Sequence, residues 1–167
     1  MLNLLKNYRL MHFALFLLCA GLIGFALYLQ YYQYMEPCPL CFLQRGMIIA
    51  MGLIFLVAAL HKPARKGAAL YATAATLPAL AGLGLALRHL WIQSLPLDQV
   101  PECGTGISYW LDTMPLGEVL LKAIKGTGEC AVVDKFLGVP LSVWTLLFFI
   151  GMIVVSWVLV RFAKKNS

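Results

Sequence analysis

The sequence predicts an all-α integral membrane protein, a four-transmembrane-helix bundle, and three observations carry that prediction. Apolar residues make up 62% of the 167 and charged residues only 12%, with a mean hydropathy of +0.84, far outside the range of a soluble domain. Four apolar stretches, about Leu10 to Leu29, Leu40 to Leu60, Ala68 to Ile92 and Leu141 to Val160, can each cross roughly 30 Å of hydrocarbon at about 20 residues per helix. None alternates like a barrel strand, and backbone groups in lipid must bond internally, so helices are expected. These stretches use most of the chain, so residues 1–167 read as one membrane domain with a long loop at about 93–140.

The first stretch follows Lys6 and Arg9 but no small-x-small cleavage site succeeds it, so it reads as a retained helix and not as a signal peptide. Leu18 stands where a lipoprotein site would need a small residue before Cys19, which makes Cys19 a packed apolar side chain. In the second stretch, Pro39 suits a first helical position, which puts Cys38 near the N-cap and Cys41 in the first turn. Counting from Ala68, the third stretch ends with Arg88 and His89 near the same interface as Cys38 and Cys41. Within the long loop, Leu116, Val119, Leu120, Ala123 and Ile124 follow helical spacing, with Pro115 before them and Gly126 after. This predicts a short amphipathic helix on the membrane surface. The glycines beside Cys103 and Cys130 favour mobile cysteine regions on either side of it.

Basic residues orient the bundle. Lys6 and Arg9, then Lys62, Arg65 and Lys66, then Arg161, Lys164 and Lys165 flank one set of helix ends, whereas Glu36, Asp98, Glu102, Asp112, Glu118, Glu129 and Asp134 all fall on the other. The basic side is expected to be cytoplasmic, with both termini. The formal charge of +6 then reflects topology and anionic inner-leaflet lipid, and requires no nucleic-acid partner.

Cys38, Cys41, Cys103 and Cys130 all lie on the outer side, which in a bacterium is the oxidising periplasm. A structural staple would suit Cys103 with Cys130. For Cys38 and Cys41 it is a poor reading, because closing a two-residue loop constrains little of the unfolded chain, while Cys-x-x-Cys at a helix start is the usual geometry of a reversible redox pair. The helix N-terminus and Arg45, one turn on, should favour a reactive Cys41 thiolate. A four-thiolate zinc site is the competing reading. The wide spacing of the second pair and the oxidising compartment weigh against it, so no metal is expected. Phe42 excludes covalent haem, which needs His there.

Arg45 lies about one turn inside an apolar helix, where a guanidinium either snorkels or serves the site. With Arg88 and His89 at matching depth, the cationic groups could converge on the cysteine pair. Arg and His beside a thiolate in an apolar wall would suit a lipid-soluble carbonyl compound, donating hydrogen bonds to its oxygens as it is reduced. His12 and His61, near the opposite helix ends, read as interfacial side chains.

Taken together, Pro37-Cys38-Pro39-Leu40-Cys41 with Gln44-Arg45, His89 near the end of helix three, Cys103 and Cys130 in the second outer loop, and Phe136-Leu137-Gly138-Val139-Pro140 leading to Trp144 resemble the bacterial disulfide-bond formation protein B (DsbB) family. The resemblance implies an inner-membrane, quinone-coupled oxidase that recharges the periplasmic thioredoxin-like thiol oxidase DsbA. It implies that Cys103 forms the mixed disulfide with that partner and Cys130 is its loop partner. Cys38 and Cys41 would carry electrons onward, with Cys41 meeting ubiquinone or menaquinone and Arg45 and His89 flanking the ring. Some members carry an acidic residue where Gln44 stands, so Gln44 is given no role. DsbA is a strong oxidant, at about −120 mV, so its own oxidant needs a more oxidising sink, and a membrane quinone serves. The alternatives are a client-specific paralogue, a vitamin K epoxide reductase-like enzyme, whose redox motif belongs near the last helix, and a non-enzymatic subunit with static disulfides.

Overall fold

Apolar residues occur all round each long helix, which is the pattern of a segment solvated by lipid on one side and neighbouring helices on the other. The computed structural model describes residues 8–35, 37–61, 65–96, 98–104 and 107–165, apart from the side chains at 65, 66, 108 and 163–165. Lys6, Glu36 and Lys62, used above for orientation, lie outside the described residues, as do the side chains of Arg65, Lys66, Lys164 and Lys165.

Four long helices form: α1 (Tyr8–Tyr32), α2 (Pro39–His61), α3 (Arg65–Gln93) and α6 (Leu141–Lys165). Each is long and apolar enough to cross a membrane. Helix α1 packs on α2, α2 on α3, and α3 on α6. Leu15, Cys19, Met51, Phe55, Phe149 and Met152 meet in the core, while Leu17, Leu53, Leu77, Leu87, Leu147 and Val154 remain exposed where lipid would cover them. Cys19 is a packed apolar side chain, 2% exposed.

Helix α3 presents its small residues to α6. Ala75, Ala79 and Ala86 are buried with Phe149 and Met152, and at Gly82 any Cβ would overlap the Phe149 ring. Small residues allow this close approach where no hydrophobic drive separates helix from lipid.

Between α3 and α6 the chain builds the predicted amphipathic helix, α5 (Leu116–Lys125), started by Pro115 and closed by Gly126. Val119 and Ala123 are buried, while Leu116, Leu120, Leu121 and Ile124 stay exposed, so α5 has one apolar edge on the bundle and more facing outward. Three shorter elements were not expected: α4 (Ile107–Thr113), a 3-10 turn over Gly128–Ala131, and a hairpin of β1 (Lys135–Phe136) with β2 (Val139–Pro140). The hairpin pairs Lys135 with Pro140 and Phe136 with Val139. Its turn residues Leu137 and Gly138 both take positive φ, 53° and 81°, as a two-residue turn matched to strand twist requires.

The α3–α6 contact yields a test. Gly82→Ala should lower stability in detergent by about 1–3 kcal/mol through overpacking, read as a drop in thermal midpoint, and Phe149→Leu in the same chain should recover part of it. An unchanged midpoint for Gly82→Ala would mean that the helices are not in this contact.

Candidate functional site

Helix α2 begins at Pro39, and the Cys38 carbonyl accepts the Phe42 N–H at 3.0 Å, which makes Cys38 the N-cap residue. Its sulfur accepts the Cys41 N–H at 3.4 Å, the bond that an N-cap Ser or Asp oxygen would make. One turn of helix therefore brings the two thiols together, with Cys38 Sγ 3.2 Å from Cys41 Sγ. Cys38 is buried and Cys41 half-buried.

His89 arrives from α3 and is 4% exposed. Its Nε2 lies 3.9 Å from Cys38 Sγ and its Nδ1 3.9 Å from Cys41 Sγ, so the imidazole edge spans both thiols. The sequence placed His89 at this depth but gave no sign of Gln93, one turn further on. The Gln93 Nε2 is 3.3 Å from His89 Nε2 and donates to the Val132 carbonyl at 3.2 Å, while its Oε1 accepts the Ser142 hydroxyl at 2.5 Å. A carbonyl can only accept, so Val132 fixes which end of the amide is nitrogen, and Ser142 agrees. The amide's remaining N–H is then aimed at His89 Nε2. A neutral imidazole accepting there carries its proton on Nδ1, the atom facing Cys41. A signal was present in hindsight: Gln93 is the polar residue on the His89 face, spaced four residues along the helix.

Cys130 completes the cluster. The 3-10 turn buries it fully, together with Cys38, Leu40 and Ile92. Hydrogen bonding to the Cys38 side chain, and then burial, push the Cys130 thiol well above the ordinary thiol range. Cys130 is packed against Leu40 and Cys38 at the start of α2. Gly126 makes this seat possible: its φ is 77°, and a Cβ there would run into Ile92 and Leu40. The glycines of this loop thus have a packing reason besides any mobility.

Cys103 stands apart, exposed to solvent. It is tied to the Cys130 turn where the Gly128 N–H donates to the Glu102 carbonyl at 3.1 Å. No disulfide joins any of the five cysteines in this structure.

The arginines are placed less simply. Arg45 donates from Nη1 to Gln30 Oε1 at 2.5 Å and from Nη2 to the Ala26 carbonyl at 3.3 Å, both on α1, which explains how a guanidinium is held one turn inside an apolar helix. Arg88 faces α5: its Nη2 donates to the Lys125 carbonyl at 3.0 Å and its guanidinium lies 4.1 Å above the Trp91 ring. It clamps the C-terminal end of α5 and does not join the thiols. Of the cationic groups expected to converge, His89 is the one in contact with sulfur. Gln44 is 2% exposed, and its Nε2 has no hydrogen-bond partner.

This is the geometry with which known proteins can be compared. Residues 8–159 match the family described as "Disulfide bond formation protein DsbB". The chain belongs to the DsbB family. It is 52% identical over 137 residues to a disulfide bond formation protein B of Chromobacterium violaceum, covering 81% of this chain and 82% of the relative. It is 50% identical over 154 residues to one of Hahella chejuensis, covering 90% and 93%. A third, of Methylococcus capsulatus, is 47% identical over 138 residues, covering 82% and 84%. No solved structure matches the chain. The protein is thus a multi-pass membrane protein of disulfide bond formation, and this family, and not the vitamin K epoxide reductase-like one, accounts for its Cys-x-x-Cys on α2.

Two outcomes follow for Cys130. A raised pKa keeps the proton on sulfur to higher pH, so near neutral pH a maleimide should label Cys103 and leave Cys130 unlabelled. Cys38→Ala, removing the largest cause, should bring Cys130 labelling in at lower pH; mass spectrometry of labelled peptides across a pH series reads both. Gly126→Ala should unseat the turn and speed Cys130 labelling about tenfold for each ~1.4 kcal/mol of strain. A rate equal to wild type would mean that the turn does not need the Gly126 approach.

Proposed function

We propose that this DsbB-family protein reoxidises a periplasmic thioredoxin-like dithiol oxidase of the DsbA type and passes the electrons through Cys103 and Cys130, then Cys38 and Cys41, to ubiquinone or menaquinone. The observation that carries the proposal is the seating of Cys130 against Cys38 at the head of α2, with Cys103 exposed at the near edge of the same loop. We further propose that residues 1–167 act as one unit in the bacterial inner membrane, with both termini cytoplasmic and the cysteine end periplasmic, as the basic residues argue.

The exchanges balance in pairs of electrons. A partner thiolate attacks the Cys103 sulfur of a Cys103–Cys130 disulfide, forming a mixed disulfide and releasing Cys130. The partner's second thiolate then attacks the mixed disulfide, leaving the partner oxidised and Cys103 reduced. Cys130 attacks the Cys38 sulfur of a Cys38–Cys41 disulfide, which releases Cys41 as thiolate. Cys103 resolves the Cys38–Cys130 bond, regenerating its own disulfide and leaving Cys38 and Cys41 reduced. Attack at Cys38 is favoured because Cys130 packs against that residue in one buried cluster and because the leaving Cys41 sulfur lies 3.9 Å from His89 Nδ1.

The residues present fit a quinone. His89, Arg45 and the unpartnered Gln44 amide are donors, and quinone oxygens are acceptors; Arg45 and His89 are the pair we assign to hold them. A bound quinone would supply a two-electron, two-proton sink beside Cys41. His89 holds a proton at Nδ1 and stabilises the Cys41 thiolate. Gln93 keeps that proton on Nδ1 and, through Val132, ties His89 to the turn that carries Cys130. Gln93 is therefore a positioning residue. Leu40, Ile92 and Leu85 pack in one apolar cluster with the pair and keep water from it.

Quinone reduction by the purified protein in detergent, with a reduced DsbA-type donor, tests the scheme. Turnover should disappear in Cys41→Ser and in Cys103→Ser, and Arg45→Met should raise the KM for quinone more than it lowers kcat. Gln93→Leu should lower kcat about 10- to 100-fold and shift its pH profile, because either His89 tautomer becomes available. Donor-dependent turnover that survives Cys103→Ser, or a Gln93→Leu enzyme with an unchanged profile, would overturn the respective assignment.

A further inference from the structure

The cluster at the head of α2 has a second capacity that the relay does not use. The donor atoms of Cys38, Cys41 and His89 all lie within 4.8 Å of one another, with the two sulfurs 3.2 Å apart, His89 Nε2 3.9 Å from Cys38 and His89 Nδ1 3.9 Å from Cys41. A tetrahedral zinc ion with Zn–S near 2.3 Å and Zn–N near 2.0–2.1 Å needs edges of about 3.5–3.8 Å. The sulfur–sulfur edge is about half an ångström short of this, and a small turn of the imidazole would bring one ring nitrogen to both sulfurs. A fourth donor stands next to these three, since Cys130 is fully buried in the same cluster as Cys38 and would close on the ion by a small shift of its turn. The Cys41 main-chain N–H already points at the Cys38 sulfur, and such a bond supports a metal-bound thiolate.

From this the geometry points to a closed Cys3His site in the fully reduced protein: Cys38, Cys41, Cys130 and His89 bind one thiophilic divalent cation of the zinc class. The donor set differs from the four-thiol site that spacing alone suggested, because Cys103 is exposed and outside the cluster. Binding is not a redox step: three thiols each release a proton, three thiolates and one imidazole nitrogen take the cation, and no electron moves. The oxidised protein, with Cys38 and Cys41 joined, lacks the donors. The cation would therefore capture the reduced protein and hold Cys130, Cys38 and Cys41 out of exchange. That inhibitory consequence rests on the relay proposed above; the binding itself does not.

The full-length protein, reduced in detergent and freed of reductant under anaerobic conditions, is titrated with Co2+ as a spectroscopic stand-in. One equivalent should produce the intense visible bands of a tetrahedral thiolate site, bleached by one equivalent of Zn2+. Cys103→Ser should bind as wild type does. Cys130→Ser and His89→Ala should each weaken binding at least about tenfold and alter the bands, with circular dichroism and the thermal midpoint showing that each variant is folded. Weak octahedral bands only, an equal loss in Cys103→Ser and Cys130→Ser, or wild-type bands in both folded Cys130→Ser and His89→Ala would overturn the site. Quinone turnover with and without Zn2+ separates the two ideas. Turnover blocked by Zn2+ and restored by a chelator supports both, whereas absent turnover in metal-free protein that still binds Co2+ sinks the relay alone.

Discussion

Leu40 is the residue around which the reactive end is assembled. It has no exposed surface and lies between two cysteines of the pair, in contact with a buried set made by Ile92 of α3 and Cys130 of the loop. Burying a Leu side chain is worth about 1.5–3 kcal/mol, and here that burial joins three separate parts of the chain. The helix start that exposes N–H groups to sulfur, the loop turn that carries Cys130 and the end of α3 that carries His89 are held in register by one apolar contact. Gly126 is the complement of that contact, since its missing side chain is the space that Leu40 and Ile92 occupy.

Around this apolar joint the polar groups are few and mutually dependent. Unpaired amides and imidazoles are costly in a low-dielectric setting, and the Gln93 amide answers three such groups at once: the Val132 carbonyl, the Ser142 hydroxyl and His89 Nε2. Any motion of the Cys130 turn therefore disturbs the partner that orients His89. The Arg45 guanidinium is handled in the opposite manner, tied to α1 by Gln30 and Ala26, so its charge is fixed near the pair without a bond to sulfur.

How much of this could be read in advance follows from the kind of signal involved. The spans were legible because twenty apolar residues in a row have one physical solution in lipid. The amphipathic helix at Leu116–Lys125 was legible for the same reason on a smaller scale, since its period, Pro115 and Gly126 agree. Cys38 as N-cap followed from Pro39 alone. Helix α4 was missed because seven residues, with Trp110 the buried one among the described side chains, carry too little periodicity. The hairpin was missed because Leu137, an unusual residue at positive φ, disguises the turn. Gln93 shares the His89 face four residues on, but its bonds to Val132 and Ser142, like the seating of Cys130 on Cys38, are long-range contacts that only packing decides.

The same packing explains why one loop can serve two kinds of meeting. Cys103 is exposed, yet its neighbour Glu102 is hydrogen-bonded to Gly128 beside the buried turn, so whatever docks on Cys103 pulls on the segment that holds Cys130. Arg88 limits that pull: bonded to the Lys125 carbonyl and stacked on Trp91, it anchors α5 to α3 immediately ahead of Gly126. The segment from Gly126 to Val132 is thus clamped at both ends, by Arg88 before it and by Gln93 after it, and is free to change only in between. A displacement confined to so short a stretch moves the Cys130 sulfur relative to Cys38 while leaving the helix start in place, and through Val132 and Gln93 it is felt at His89. Sulfur exchange requires such a movement, because the attacking atom must reach the line of the bond it breaks.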